Sequence, residues 1–136
     1  MANVVVRYLS FEGRLARLAF FNRGICLGIT TGALSVTSIP LFVRGGTWWW
    51  LGVADVIASL ALLGAGSVSL TVRRLHDLGR SGYHAIWVGA VQVLASPLSY
   101  APTKAILLAL PLFAVGLWLT FWPGNAGANR FGFPPD

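Results

Sequence analysis

Residues 48–72 read WWWLGVADVIASLALLGAGSVSLTV, an apolar run interrupted by one charged side chain, Asp55. An α-helix rises about 1.5 Å per residue, so roughly 20 apolar residues cross the ~30 Å hydrocarbon core of a bilayer. This run is long enough to do so. Directly after it comes RRLHDLGRSG (73–82), where the polarity changes abruptly. Three further apolar runs lie outward from it, at about 24–43, 83–99 and 104–122. They predict an all-α integral membrane protein.

The composition agrees. Of 136 residues, 56% are hydrophobic and 10% charged, and the mean hydropathy is +0.72. A soluble domain carries about 25% charged residues, so this chain lacks the polar material to cover a water-facing surface. Its length fits a single domain. The net charge is +6, but the cations lie in short segments between apolar runs and form no basic polar domain. That distribution suits anionic headgroups and excludes nucleic acid as the expected partner. No cleavable signal peptide is expected, because the first apolar run begins only after Arg23 and lacks a small-x-small cleavage pattern. Cys26, the one cysteine, has no partner for a disulfide and reads as a small buried apolar side chain.

The connections at 44–47, 73–82 and 100–103 are short, with Pro102 as a breaker, and short connections force antiparallel neighbours. The expected architecture is an up-down four-helix transmembrane bundle. It has an interfacial N-terminal segment at about 4–23 and a non-helical tail at 123–136. Helix two is expected to continue past the membrane face through Arg73–Leu78. Arg7, Arg14, Arg17, Arg23, Arg73, Arg74, Arg80 and Arg130 fall on one side, and Arg44 and Lys104 on the other. Cations favour the cytosolic side, so both termini are predicted to be cytosolic. Trp48, Trp49 and Trp50 at one membrane face, and Trp118, Phe121 and Trp122 at the other, read as interfacial anchors.

Three segments carry a resemblance. They are Phe11-Glu12-Gly13-Arg14-Leu15-Ala16-Arg17, then Arg73 through Gly82 (RRLHDLGRSG), then 125–134 with Gly127, Asn129, Arg130, Phe131 and Gly132. In this order they resemble the YhaH-type small bacterial inner-membrane proteins, the family called domain of unknown function 805. Tyr83-His84 departs from the paired tryptophans common there, and Phe133 stands where a proline often follows the glycine. The resemblance implies a bacterial inner-membrane location and no particular reaction.

Two polar constellations stand out. On a helix running on from Val72, Arg73 and Arg74 lie four and three residues before Asp77, within reach of it. Gly79 is expected to end that helix and Ser81 to cap the next. Arg14, Arg17, Arg80, Asn129 and Arg130 are expected on the same face, with the tail folded back and held by Phe131 or Phe133. The cluster reads either as a structural clasp around Asp77 or as an anion site for a lipid phosphate or phosphorylated metabolite. His76 beside Asp77 invites an acid–base reading. However, no nucleophile or metal motif accompanies it, so no catalytic, cofactor or metal residue is assigned and an enzyme is not expected.

The second constellation starts from Asp55, which is costly in lipid and needs partners. Ser35, Gln92 and the Leu107 carbonyl, freed by Pro111, fall at similar depth. Asp55 is expected to bond at least one of them, as interhelical glue or as a proton or cation site. Gly24, Gly28 and Gly32 share a helix face and would allow close packing against a helix of this chain or of another subunit. The function expected is a non-enzymatic accessory, assembly or adaptor module. Its basic cytosolic rim would contact lipid headgroups, a membrane-protein partner or a second copy. The alternative is a small oligomeric transporter or channel.

Overall fold

The structure is a computed structural model. It describes the backbone of residues 9–95 and 102–134 and the side chains of 9–90 and 110–134. Four helices follow in order: α1 (Arg17–Arg44), α2 (Thr47–Asp77), α3 (His84–Ala95) and α4 (Pro102–Phe121). No strand occurs among the described residues beyond one isolated bridge, Asn129 with Gly132. α1 and α2 are long and apolar enough to cross a membrane.

The helix limits follow local chemistry. Nothing between Arg17 and Gly24 breaks a helix, so the second half of the expected interfacial segment joins the apolar run and α1 reaches 28 residues. Gly45 and Gly46, both at positive φ, make the turn into α2. α2 has 31 residues, about 46 Å at the standard rise, and so outruns the apolar layer and carries Arg73–Asp77 beyond it. Its end is a Schellman motif, with Gly79 at φ 70. The Gly79 N–H donates to His76 O at 3.1 Å and the Arg80 N–H to Leu75 O at 2.8 Å. Ser81 acts in the turn before α3: its carbonyl accepts from the His84 N–H at 3.2 Å, and its hydroxyl lies 3.5 Å from the Tyr83 N–H. Pro102, expected in a loop, instead opens α4. The first helical position needs no N–H donor, and proline's fixed φ suits it.

α1 and α2 form an antiparallel hairpin. Its seam belongs to small residues of α2, namely Gly52, Ser59 and Gly66, all buried and spaced by seven. Leu27, Thr31 and Ser38 of α1 are buried against this hairpin. A Cβ at Gly66 would meet Leu27 Cδ2 at 2.6 Å, and one at Gly52 would meet Phe42 Cε1 at 2.9 Å. Without a hydrophobic drive between helices in lipid, such close approach supplies the packing energy. Gly24, Gly28 and Gly32 show no such contact, since nothing among the described residues lies within 4 Å of a Cβ built at any of them. Cys26, expected to be buried, is exposed on α1.

The core lies at the Arg74 end of the hairpin. Leu15, Leu27 and Leu70 form one buried cluster. Leu75, Ala85 and Leu119 form a second, flanked by Phe20, Val72 and Trp118. Here α3 and α4 join α2. Gly66→Leu, which must displace Leu27, should destabilise the monomeric chain in detergent by about 1–3 kcal/mol. Gly28→Leu, placed in open space, should leave thermal unfolding unchanged. Equal melting of the two variants would refute the seam.

Candidate functional site

Asp77 ends α2 and is buried, with 3% of its surface exposed; Arg74, one turn earlier, is fully buried, and Arg14 is 6% exposed. Arg14 stands in the non-helical segment that precedes α1. The N–H of Leu15 pins that segment by donating to Arg73 O at 3.1 Å. The Ser69 hydroxyl binds it further back through Ser10 O. One carboxylate thus lies between two guanidiniums. Arg14 Nε donates to Oδ1 at 3.1 Å and Arg74 Nη1 to Oδ2.

The remaining guanidinium donors find backbone carbonyls. Arg14 Nη1 donates to Gly127 O at 2.7 Å and to Gly132 O at 3.3 Å, and its Nη2 donates to Asn125 O. Arg74 Nε donates to Leu119 O at 2.7 Å, its Nη2 to Trp122 O, and its Nη1 lies 3.5 Å from Leu15 O. Five of these six acceptors belong to residues 119–132, so the two arginines hold the end of α4 and the tail against α2. The tail answers through its own groups: Asn125 N–H donates to Asp77 O and Asn129 Nδ2 to His76 O, each at 2.9 Å. Glycine is required where the tail passes closest, because a Cβ on Gly124 would overlap the Asp77 carboxylate.

His76 faces away from Asp77, as neighbours on a helix do. Its Nδ1 lies 3.2 Å from Gly13 O. Its ring stacks on Phe131, with centroids 3.9 Å apart and planes 9° apart, and Arg130 lies over the other ring at 4.7 Å from the centroid. Phe131 therefore anchors the tail, whereas Phe133 is exposed. The Phe131 N–H donates to Asn129 Oδ1 at 2.9 Å, and Asn129 and Gly132 exchange backbone bonds, so residues 129–132 form a closed turn. No His–Asp dyad exists for acid–base chemistry. Burial foremost, with some repulsion from Arg130, holds the His76 pKa below its ordinary 6.5, against the Gly13 carbonyl, which favours the cation. Burial likewise lowers Arg74, opposed by Asp77 and reinforced by the nearby charge of Arg17.

The family model for proteins of unknown function DUF805 matches residues 8–133. The chain belongs to this family. Comparisons with curated proteins and with solved structures each gave no match. The three segments that carry the DUF805 resemblance, at 11–17, 73–82 and 125–134, are those that meet around Asp77.

Among the site residues read from the sequence, Arg14, Arg74, His76, Asp77, Asn129 and Arg130 come together. Arg73 contributes its carbonyl. Arg17 and Arg80 are exposed, and neither pairs with a carboxylate among the described residues. His84 opens α3 and lines a small cavity with Arg80 and Trp118. No group of three or more His, Cys, Asp or Glu suited to a metal ion occurs among the described residues. The carbonyl acceptors of the tail were not foreseen. Their signal was the glycine-rich string GNAGANRFG (124–132), which marks backbone that must approach closely.

In the second constellation one of the three expected partners of Asp55, Ser35, turns elsewhere. Asp55 Oδ2 accepts from Thr37 Oγ1 at 2.9 Å, while Ser35 turns back to its own helix and donates to Thr31 O at 2.9 Å. Ser and Thr hydroxyls in helices often satisfy themselves this way, and Ser35 is therefore not available to α2. The Gln92 side chain and the Leu107 pairing lie outside the described side chains.

Two outcomes test the site. Asp77→Asn removes the shared charge and strands two buried guanidiniums, so stability should fall by about 3–5 kcal/mol. Arg80→Gln, an exposed change, should stay within about 0.5 kcal/mol; chemical unfolding in detergent compares them. For His76, the unfolded chain takes up its proton first as pH falls. The stability from neutral His76 is complete above about 6.5 and is lost progressively below it. The thermal midpoint should therefore drop on acidification through this range, and His76→Gln should flatten that drop.

Proposed function

We propose that the chain is a non-enzymatic accessory or adaptor module of the bacterial inner membrane, a four-helix bundle with both ends in the cytosol. One observation carries the reading: the buried Arg14–Asp77–Arg74 cluster spends its donors on the chain's own tail. A site for substrate or phosphate needs free donors at the point of capture. Here the donors meet Leu119, Trp122, Asn125, Gly127 and Gly132. The cluster acts as a clasp that shapes the cytosolic rim and leaves Arg17, Arg80 and Arg130 outward, toward lipid headgroups or a protein partner. The many exposed large apolar side chains along the hairpin, among them Leu18, Ile29, Val36, Ile39, Ile57 and Leu60, suit lipid as the surrounding solvent.

A transport role draws on Asp55, a carboxylate at membrane depth bonded to Thr37. It is the second reading because an intramembrane acid often lies on an ion path. Asp55→Asn should leave an adaptor's partner binding intact and abolish proton-coupled transport.

In a Cys26→Ser background, a cysteine at Gly46 should react with an impermeant thiol reagent from the periplasmic side. A cysteine at Ala128 should react only after the membrane is opened. Cytosolic reactivity at position 46 would overturn the topology. Affinity capture of the full chain in mild detergent should then recover the same membrane partner from wild type and from Asp55→Asn.

A further inference from the structure

A groove of about 330 Å³ opens between the start of α1 and the end of α4, lined by Arg17, Leu18, Phe21, Thr120 and Phe121. Its walls are otherwise apolar, and Leu18, Phe21 and Phe121 are 69%, 48% and 68% exposed. Arg17 is the first residue of α1, and that end of the helix carries neither a side-chain cap nor an acid in its first turn. The guanidinium of Arg17 makes no hydrogen bond or ion pair among the described residues.

The charge around it is unbalanced. Arg14 and Arg74 share one carboxylate, so the clasp keeps one positive charge. Arg17 is close enough for its charge to act on Arg74, which makes two positive charges here that no further carboxylate pairs among the described residues. Glu12, the one acid of the segment before α1, is exposed. An anion belongs here, and what lies below it is apolar.

We propose that this groove is a binding site for an anionic phospholipid. The headgroup phosphate is held by Arg17 and an acyl chain lies against Leu18, Phe21 and Phe121. Phosphate matches the fork of a guanidinium. A chain running inward from it follows apolar side chains that would otherwise need only generic lipid. The proposal rests on the membrane placement given under Proposed function. It adds a particular lipid class at a particular arginine, where that reading needs only a basic rim. It also separates Arg17 from Arg130 and from Arg80, whose own cavity, between α2, α3 and α4, is smaller at about 220 Å³ and is shared with His84.

Native mass spectrometry and thermal shift on the full chain in neutral detergent test it, with dioleoyl phosphatidylglycerol and dioleoyl phosphatidylcholine as probes. Wild type should retain phosphatidylglycerol and be stabilised by it more than by phosphatidylcholine. Arg17→Gln should weaken phosphatidylglycerol binding at least tenfold, whereas Arg80→Gln and Arg130→Gln should change it less than twofold. Thr120→Trp, which fills the groove and keeps Arg17, should weaken it likewise. Circular dichroism in the absence of lipid identifies a variant that has not folded, and the other groove variant then decides. Inorganic phosphate should not reproduce the stabilisation; if it does, the site is one for free phosphate and the proposal fails. Equal losses at positions 17, 80 and 130 would leave the basic rim standing and overturn the site. Equal affinity for the two lipids would also overturn it, whatever the labelling shows about topology.

Discussion

Two guanidiniums and one carboxylate, all buried, set the terms for the rest of this molecule. Removing ions from water costs several kcal/mol each, and their attraction offsets this only where geometry is good and every remaining donor is satisfied. Asp77 can serve one nitrogen group of each arginine. The other donors need acceptors that stay put, and backbone carbonyls at the end of α4 and in the tail supply them. The charged cluster thereby dictates the path of residues 122–132, a segment that follows the last helix. The glycine at 124 is a consequence of that path, since a Cβ there would overlap the Asp77 carboxylate.

The apolar hairpin of α1 and α2 is organised by close contact across a seam of small residues. Gly52, Ser59 and Gly66 let Phe42 and Leu27 approach the α2 backbone. The resulting hairpin is the platform on which Arg74 and Asp77 are carried beyond the apolar layer. Rigidity in the hairpin fixes the carboxylate, and the carboxylate fixes the tail. Hairpin and tail depend on each other through the last two turns of α2, from Leu70 to Asp77.

Much of this was legible in the residues themselves. Hydropathy alone predicts the helices, and the spacing of Arg74 from Asp77 predicts their contact, because both are properties of one continuous helix. Gly79 as the terminator and Phe131 as a candidate anchor follow from equally local rules. What escaped reading depends on the relative rotation of two helices or on unmarked backbone atoms. Depth suggested Ser35, Gln92 and the Leu107 carbonyl as partners of Asp55; Ser35 bonds its own helix and Thr37 meets Asp55 instead, because depth does not say which way a hydroxyl turns. The outward glycines at 24, 28 and 32 and the inward seven-residue series on α2 look equally good in one dimension. The tail carbonyls have no residue identity to read, and only the density of glycine hinted at them.

The order in which the clasp is assembled has a consequence for synthesis. Its donors, Arg14 and Arg74, emerge early, and most of their acceptors lie some fifty to a hundred residues later in the chain. Until the segment at 119–132 leaves the ribosome, two cations wait at the membrane face without their carbonyls, held in water or by lipid phosphates. Closure is therefore a late event in biogenesis, and it registers that translation has passed the tail. A chain stopped before Asn125 would keep the Leu119 and Trp122 carbonyls for Arg74 but lose all three tail carbonyls of Arg14. An unsheathed guanidinium of this kind would distinguish a chain that lacks residues 125–132 from one that has them.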